Sequence, residues 1–246
     1  MYKPIQYQRG CTEFYKLKFK VTPDTLIPRP ETELLVDEVL KFVKNYPLPP
    51  QEGCVVPIPY PLTILDLGTG AGNIAISLAK NLSRLLSCPQ CVTIIATDIS
   101  GKALKVAKQN AKLHGVSGQI VFLQSNLLNY SKSRRSSDFC QLTPDIIVTN
   151  LPYIPTERIS YLDSSVKDFE PHVALDGGED GFELYRKLFS QIKEKSWQPK
   201  LIIGEIDYTH GELAVNESQK YFPYSQIETK KDLARKQRIL LIRQFL

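Results

Sequence analysis

The residues best suited to chemistry begin with a glycine-rich turn and an acid. The run from Ile64 to Gly72 reads ILDLGTGAG, which predicts a buried strand that enters a glycine-rich turn and then a helix. Glycine tolerates left-handed backbone conformations and lets a ligand press against the main chain. Asp98 ends the next predicted strand, where a carboxylate can accept hydrogen bonds from both hydroxyls of a ribose. Turn and acid together predict a site for an adenosine-containing cofactor.

The spacing of the glycines discriminates between such cofactors. Gly68, Gly70 and Gly72 do not follow the G-x-G-x-x-G register of dinucleotide-binding turns, and Asp66 precedes them. A sulfonium cofactor has no pyrophosphate for a helix N-terminus to bind, and its cationic groups can face an acid. The pattern therefore favours S-adenosylmethionine over NAD. The candidate cofactor-binding residues are Asp66, Gly68, Thr69, Gly70, Ala71, Gly72, Asp98 and Asn150.

A second motif, Asn150-Leu151-Pro152-Tyr153, directly follows a predicted strand, at the edge where open α/β sheets bind ligands. The nitrogen of an amide or aromatic amine is a poor nucleophile until acceptors hold its N–H groups and let it pyramidalise. The side-chain oxygen of Asn150 and the carbonyl of Leu151 are the candidate acceptors. Pro152 would stiffen the loop, and the ring of Tyr153 could stack on a planar acceptor. Alone, the tetrapeptide would be read as a simple turn. Because it follows a predicted strand and comes after the cofactor motif along the chain, a role in methyl transfer is favoured.

The elements that position these motifs alternate between strands and helices. Predicted strands at 64–67, 92–97, 120–123, 146–149 and 201–206 are separated by helical patterns at 73–86, 102–113 and 181–195, and a further helix is predicted at 212–221. Alternation of this kind indicates a parallel sheet covered by helices. Residues 227–229 and 239–245 flank a charged turn and predict an antiparallel hairpin. The fold class is α/β, with a mostly parallel seven-stranded sheet and a C-terminal antiparallel hairpin.

Several segments lie outside this alternation. Residues 1–29 are interpreted as a linker or the remnant of a β-hairpin, and Pro30 starts a helix that opens the main domain, 30–246. Six prolines make 46–61 an exposed insertion. The run 131–138, rich in serine with two arginines, is expected to be a solvated loop rather than a nucleic-acid contact.

Composition narrows the class of protein. The chain has 246 residues, of which 42% are hydrophobic and 23% charged, and a net charge of +5, values typical of a globular protein and not decisive for partners. The sequence shows neither an apolar run of about 20 residues nor a secretory signal, so a cytoplasmic location without membrane association is expected. Cys88 and Cys91 have no second ligand pair and are interpreted as loop thiols, with no metal site.

With these motifs in place, the chain resembles the HemK/PrmC family of release-factor glutamine methyltransferases. The resemblance rests on LIPRPETE at 26–33, on the cofactor turn at 66–72, on Asp98, and on the run after the tetrapeptide, which includes FEP at 169–171, ALDGG at 174–178 and DG at 180–181. It implies a Rossmann-like class I S-adenosylmethionine-dependent methyltransferase domain. It also implies that most of the family's N-terminal helical domain is absent from this chain.

The resemblance further implies the acceptor and additional site residues. In the family, the motif at Asn150 to Tyr153 holds the glutamine amide of the Gly-Gly-Gln loop of class-1 peptide chain release factors. Arg29 matches an arginine that braces the loop or the acceptor. Asn126 and Leu127 stand where the family commonly has an aspartate and an aromatic residue that covers the adenine, and Leu151 replaces a usual proline.

Two other functions stay open at this point. The chain could methylate the exocyclic amine of a base in ribosomal RNA or DNA, which Leu151 and the basic charge allow, although no basic arm or recognition domain is evident. It could also be a non-catalytic cofactor-binding remnant. The presence of both Asp98 and Asn150 argues against the second alternative.

Overall fold

The computed structural model describes residues 3–46, 62–86, 91–130 and 143–244, and its main feature is one large twisted sheet. The strands are β1 (Cys11–Phe14), β2 (Leu17–Lys20), β3 (Leu62–Leu67), β4 (Val92–Asp98), β5 (Ile120–Asn126), β6 (Asn129–Tyr130), β7 (Ile146–Thr149), β8 (Leu201–Glu205), β9 (Gln226–Lys231) and β10 (Gln237–Arg243). The α-helices are α1 (Ile5–Arg9), α2 (Glu33–Lys44), α3 (Asn73–Leu85), α4 (Gly101–Leu113), α5 (Ser164–Lys167), α6 (Glu183–Glu194) and α7 (Gly211–Tyr221).

The order of the strands places a crevice at the middle of the sheet. The order is β6-β5-β4-β3-β7-β8-β10-β9, and the five strands from β5 to β8 run parallel. Within this sheet the chain enters at β3, moves outward through β4 and β5, and returns to the other side of β3 with β7. Open sheets bind ligands at such a switch point, outside the carboxyl ends of the strands. The ends of β3 and β7 therefore define where a site should lie.

Helices cover both faces of the sheet because its central strands are apolar on both sides. Every residue of β3 and of β7 is buried. On one face, helices α2 and α3 contribute side chains such as Leu35 and Ile76 to the core. On the other face, α6 contributes Tyr185 and Phe189, which pack with Phe182. Two continuous apolar layers thus hold the sheet edge rigid where the site residues project.

The structure confirms the predicted architecture, since the seven predicted strands lie in one mostly parallel sheet of eight, with β9 and β10 as the antiparallel C-terminal hairpin. One strand was not predicted. The two-residue β6 pairs antiparallel with the end of β5. Such a short strand has too few residues to show a period in the sequence. The predicted helix at Pro30 begins as a 3₁₀ turn, Pro30–Thr32, which leads into α2.

The N-terminal residues form a helix and a hairpin that pack on the domain. Strands β1 and β2 pair antiparallel, and Phe14 and Phe19 are buried in the same core as α2 and α3. The side chain of Asn110 in α4 accepts a hydrogen bond from the Lys20 N–H at 2.8 Å and donates to the Ala71 carbonyl at 2.8 Å. The hairpin is therefore tied directly to the glycine-rich turn.

Some expectations lie outside the described residues, among them those for the insertion from residue 47 onward, for the loop 131–138 and for Cys88. Cys91 is disulfide-bonded, so the interpretation of this residue as a loop thiol is wrong. Sequence periodicity carries no information on the oxidation state of a thiol. Among the helices of the described ranges, none combines the length and apolar character that a membrane span requires.

Candidate active site

A cavity of about 1060 Å³, including its open mouth, lies at the carboxyl ends of the central strands. Its wall brings together most of the candidate site residues, and it adds two segments, 24–28 and 171–174, that the sequence analysis did not assign to the site. The lining residues include Asp24, Thr25, Leu26, Pro28, Thr32, Gly68, Thr69, Gly70, Ala71, Asp98, Asn126, Leu127, Asn150, Leu151, Pro152, Pro171, Val173 and Ala174. Cofactor motif and tetrapeptide thus share one cavity.

The glycine-rich turn forms one wall and exposes its backbone there. Gly68, Gly70 and Gly72 have φ values of 75°, 55° and 83°, a region that glycine adopts without steric cost. A Cβ on Gly70 would meet no protein atom within 4 Å, whereas one on Gly72 would lie 3.3 Å from the Ala107 Cα. Gly70 therefore keeps space open beside the cavity. Gly72, which does not line the cavity, permits close packing of the turn against α4.

Asp66 lies beneath the turn and not on the cavity wall. Its Oδ2 accepts hydrogen bonds from the Thr69 hydroxyl at 2.7 Å and from the Ala75 N–H at 3.0 Å, near the start of α3. Its buried Oδ1 has no hydrogen-bond partner among the described residues. Burial raises the pKa of Asp66 to about 7, against the lowering effect of these two hydrogen bonds. The carboxylate braces the turn.

We expect the raised pKa of Asp66 to make stability depend on pH. An acid whose folded pKa exceeds its unfolded value binds its proton more tightly when folded. Its contribution is therefore fully present below its ordinary pKa of 3.8 and is lost as the pH rises through about 7. Urea unfolding at pH 5 and pH 8 should show a free energy of unfolding that declines by on the order of a few kcal/mol. In the Asp66→Asn protein most of this decline should disappear. The same decline in the variant as in the parent would contradict the assignment of the pH dependence to Asp66.

Asp98 ends β4 and lies on the cavity wall. Its Oδ2 accepts a hydrogen bond from the Gly70 N–H at 2.8 Å, and its Oδ1 accepts one from the Ser100 N–H at 2.8 Å. Burial raises the pKa of Asp98, and these two hydrogen bonds oppose the shift. Each oxygen keeps a second lone pair, so the carboxylate can still accept hydrogen bonds from a ligand in the cavity.

Asn126 ends β5, the next strand of the sheet, Leu127 follows it, and both residues line the cavity. Leu127 has a φ of 52°, which is unusual for a residue other than glycine. The Ser125 hydroxyl donates to the Leu127 carbonyl at 2.7 Å, and the Gln191 side chain accepts from the Leu128 N–H at 2.8 Å. These contacts hold the strained backbone in place, so that the turn forms a fixed part of the wall.

The tetrapeptide follows β7, and three of its four residues line the cavity. Asn150 donates from Nδ2 to the Thr32 hydroxyl oxygen at 3.1 Å, which leaves its Oδ1 available as an acceptor. Leu151 and Pro152 lie on the wall with it. Tyr153 does not, because its hydroxyl turns away and donates to Glu205 Oε1 at 3.0 Å. Burial, together with the negative charge of Glu205, raises the pKa of Tyr153 well above its usual range.

A glycine-containing loop at 175–181 supports the tetrapeptide from behind. The Ile154 N–H donates to the Leu175 carbonyl at 3.1 Å, and the Gly177 N–H donates to the Ile154 carbonyl at 2.9 Å. A Cβ on Gly177 would lie 2.8 Å from both the Pro152 carbonyl oxygen and the Tyr153 Cα. Only glycine allows this approach, so the loop and the tetrapeptide fit as one unit.

Arg29 lies outside the cavity wall, and its guanidinium contacts Glu170 at 2.5 Å. The other oxygen of the Glu170 carboxylate accepts from the Ile27 N–H at 3.1 Å. The Tyr7 hydroxyl donates to the Thr25 carbonyl at 2.6 Å in the same segment. The arginine therefore braces the lining segment 24–28.

The sequence analysis missed Thr32, Glu205 and the two lining segments 24–28 and 171–174 as parts of the site. Thr32 lies next to two acids in the PETE run, and Glu205 ends a strand at the same sheet edge as Asn150. A polar residue at a strand's carboxyl end is the signal that would have indicated Glu205. Parts of both lining segments fall in the runs that carry the family resemblance, at 26–33, 169–171 and 174–178, but the sequence analysis did not assign those runs to the site.

Comparison with known proteins identifies related chains. A family model described as "Methyltransferase domain" matches residues 61–196, more than half of the chain. A protein named release factor glutamine methyltransferase from Moorella thermoacetica is 41% identical over 185 residues, which make up 75% of this chain and 55% of that protein. Proteins of the same name from Bacillus cereus and Thermodesulfovibrio yellowstonii are 33% and 34% identical, and the matches cover 96% and 98% of this chain and 75% and 76% of those proteins.

Solved structures share the fold at lower sequence identity. The catalytic domain of hMettl16, in complex with a MAT2A 3′UTR hairpin, superposes with a TM-score of 0.65 at 13% identity, covering 94% of this chain and 77% of that one. A ribosomal protein L11 methylase from Lactobacillus delbrueckii subsp. bulgaricus gives a TM-score of 0.54 at 20% identity, covering 92% and 84%. These likenesses establish the methyltransferase fold, and the sequence relatives that match nearly the whole chain establish more: the chain belongs to the release factor glutamine methyltransferase family.

Proposed function

We propose that the chain transfers a methyl group from S-adenosyl-L-methionine to the side-chain amide nitrogen of the glutamine in the Gly-Gly-Gln motif of class-1 peptide chain release factors. One observation carries the proposal. Asn150 and Leu151 line the same cavity as Asp98 and the glycine-rich turn, in a chain whose relatives are named for this activity. Acceptor groups for a planar amide and a nucleoside site are thereby brought together.

The residues present fit the proposed cofactor. Gly70 leaves open space beside the exposed backbone of the turn, and Asp98 offers carboxylate lone pairs to ribose hydroxyls at the cavity wall. Asn126 and the fixed turn at Leu127 would flank the adenine. When bound, the sulfonium supplies an electrophilic methyl group. The protein's own contribution is to orient donor and acceptor.

We expect Asp98→Ala to weaken cofactor binding by roughly 1–3 kcal/mol, because buried partners of a charged acceptor lose their hydrogen bonds. The fold should survive, since the substitution removes atoms without adding bulk. Isothermal calorimetry with S-adenosylmethionine measures the change. Asp37→Ala, which removes an exposed acid on α2, is the matched control and should bind normally. Unchanged affinity in a folded Asp98→Ala protein would contradict the assignment of Asp98 to the ribose.

The acceptor chemistry follows from the tetrapeptide. An amide nitrogen shares its lone pair with the carbonyl, and it becomes nucleophilic only as acceptors hold its N–H groups so that the nitrogen pyramidalises and the lone pair leaves that conjugation. Asn150 Oδ1 and the Leu151 carbonyl would accept these two N–H groups. Both acceptors interact more strongly as positive charge develops on the nitrogen, so they favour the transition state over the ground state. As the N–C bond forms, the bond between the sulfonium sulfur and the methyl carbon would break and leave a neutral thioether, and the extra proton on nitrogen would then pass to water.

A transfer assay distinguishes the proposed acceptor from the alternatives. The chain is incubated with methyl-labelled S-adenosylmethionine and with either a class-1 release factor or ribosomal RNA, and label is counted in each product. We expect label in the release factor and none above background in the RNA. Label only in RNA would support the exocyclic-amine alternative. Cofactor binding without transfer to either acceptor would support a non-catalytic protein.

The organisation around this activity is also proposed. Residues 30–246 would form the methyltransferase domain, and residues 1–29 would be an N-terminal segment, with a hairpin that packs on it. A release factor acts where translation occurs, which supports a cytoplasmic location. Direct binding to nucleic acid is not favoured, because the proposed substrate is a protein.

A further inference from the structure

A buried polar cluster lies behind Asn150, formed by Thr32, Tyr153 and Glu205. We propose that Thr32 and Glu205 are positioning residues that hold the Asn150 amide with its oxygen toward the acceptor. This inference rests on the proposed function, because it concerns the same methyl transfer. It assigns a role to two residues that do not belong to the tetrapeptide.

Three separate elements bring the cluster together. Thr32 ends the 3₁₀ turn before α2, Glu205 ends β8, and Asn150 follows β7. The Thr32 hydroxyl donates to Glu205 Oε2 at 2.6 Å and accepts from Asn150 Nδ2 at 3.1 Å. The residues lie 118 and 173 positions apart along the chain, so the contacts depend on the whole fold.

The direction of each hydrogen bond follows from the chemistry of Glu205. Burial raises the pKa of Glu205, and the hydrogen bonds from Thr32 and Tyr153 oppose this shift. An ionised carboxylate only accepts hydrogen bonds, so with Glu205 ionised the Thr32 hydroxyl donates its single proton to Glu205. The Thr32 oxygen can then only accept from Asn150, which requires the NH₂ group of that side chain. The amide oxygen of Asn150 is thereby turned away from Thr32. The Tyr153 hydroxyl donates to the second oxygen of the same carboxylate and supports this arrangement.

Burial makes the arrangement rigid. Thr32 and Glu205 are each 1% exposed, so water does not compete for their hydrogen bonds. The Tyr185 hydroxyl donates to the Glu205 backbone carbonyl at 2.6 Å and anchors the end of β8. An apolar side chain would be cheaper to bury than Glu205 in a purely structural position. The buried carboxylate is nevertheless present, and it accepts a hydrogen bond from the same Thr32 hydroxyl that contacts Asn150, as a directional network requires.

The orientation matters because an inverted amide would present the wrong group. With the NH₂ group of Asn150 toward the acceptor, two donors would face each other and the nitrogen of the acceptor would lose one of its two partners. Such a loss affects the transition state more than substrate binding, since the contact strengthens as charge develops. Disruption of the network should therefore lower kcat and change KM little.

Two substitutions at Thr32 distinguish the effect of losing the hydrogen-bond network from the effect of changed packing. Thr32→Val keeps the shape and removes the hydroxyl, and we expect a drop in kcat of roughly ten- to a hundredfold, the scale of a displaced positioning contact. Thr32→Ser keeps the hydroxyl and should retain most of the activity. Thr229→Val, which removes a hydroxyl hydrogen-bonded to Gln237 in the C-terminal hairpin, is the matched control. Equal kcat for Thr32→Val and Thr32→Ser, with both proteins folded by thermal melting, would overturn the proposal.

A second readout does not depend on the acceptor. The side-chain NH₂ resonances of Asn150, assigned by their loss in Asn150→Ala, are followed by ¹⁵N NMR of the full chain. In the parent we expect one well-dispersed, slowly exchanging pair. Thr32→Val and Glu205→Gln should shift this pair and speed its exchange with water, whereas Thr229→Val should not. Unchanged Asn150 resonances in both variants would contradict the network even if release factor is methylated. Absent transfer in the parent, with the NMR effects present, would instead contradict the proposed function.

Discussion

Asn150→Ala should reduce the rate of methyl transfer by on the order of a hundredfold or more, the scale for one preorganised polar group in a water-excluded site. Cofactor affinity should stay nearly unchanged, because Asp98 and the glycine-rich turn remain in place. Asn150 interacts most strongly with the acceptor nitrogen as that atom becomes positive, so its loss should be felt in turnover more than in binding. Single-turnover kinetics on a release factor separate the two effects.

The control for this experiment is a substitution of the same type elsewhere. Asn81 on α3 donates from its side chain to the Ser77 carbonyl, away from the tetrapeptide, and Asn81→Ala should transfer methyl at the parental rate. If Asn150→Ala also keeps the parental rate, then its side chain does not hold the acceptor. A loss of cofactor affinity equal to the loss of rate would place Asn150 in the cofactor site and not in catalysis.

Gly177→Ala should both destabilise the protein and slow transfer. Its Cβ would lie 2.8 Å from the Pro152 carbonyl oxygen, from the Tyr153 Cα and from the Gly181 carbonyl oxygen, all of them backbone atoms that cannot rotate away. Overpacking of this kind costs roughly 1–3 kcal/mol. The displacement falls on the tetrapeptide, where a shift of about 1 Å can cost roughly a hundredfold in rate. Urea unfolding and steady-state kinetics measure the two effects.

Gly118→Ala is the matched control for steric crowding. A Cβ on Gly118 would meet no atom within 4 Å, and the backbone there is not left-handed, so alanine should be tolerated. Parental stability for Gly177→Ala would show that the loop at 175–181 does not press on the tetrapeptide. Lower stability with a parental rate would show that the loop supports the fold but not the site.

The fold could be predicted because its signals are local. Strand β3 and helix α3 follow from an apolar run, a glycine-rich turn and a helical period within consecutive residues, and the observed bounds differ from the predicted ones by at most two residues at these two elements. Asp98 and Asn150 could also be predicted from the sequence, because Asp98 ends an apolar strand and Asn150 directly follows one at the same sheet edge. For these residues, sequence position determines spatial position.

The rest of the site depends on contacts between distant segments. Thr32 and Glu205 meet only after the 3₁₀ turn and β8 have packed beside β7, and neither residue has a local pattern that indicates its partner. From its place before the turn, Asp66 was expected to face the cationic groups of the cofactor, yet the structure buries it beneath the turn with Thr69 and Ala75. The left-handed conformation of Leu127 is likewise imposed by neighbours, because leucine does not favour it.

The most direct test of the central claim is tandem mass spectrometry of a class-1 release factor after incubation with the chain and S-adenosylmethionine. We predict a single added methyl group on the peptide that contains Gly-Gly-Gln, with fragment ions that place it on the glutamine side chain. A release factor with this glutamine replaced should remain unmodified. A methyl group on another residue, or transfer that persists after the replacement, would contradict the assignment of the glutamine amide as the acceptor.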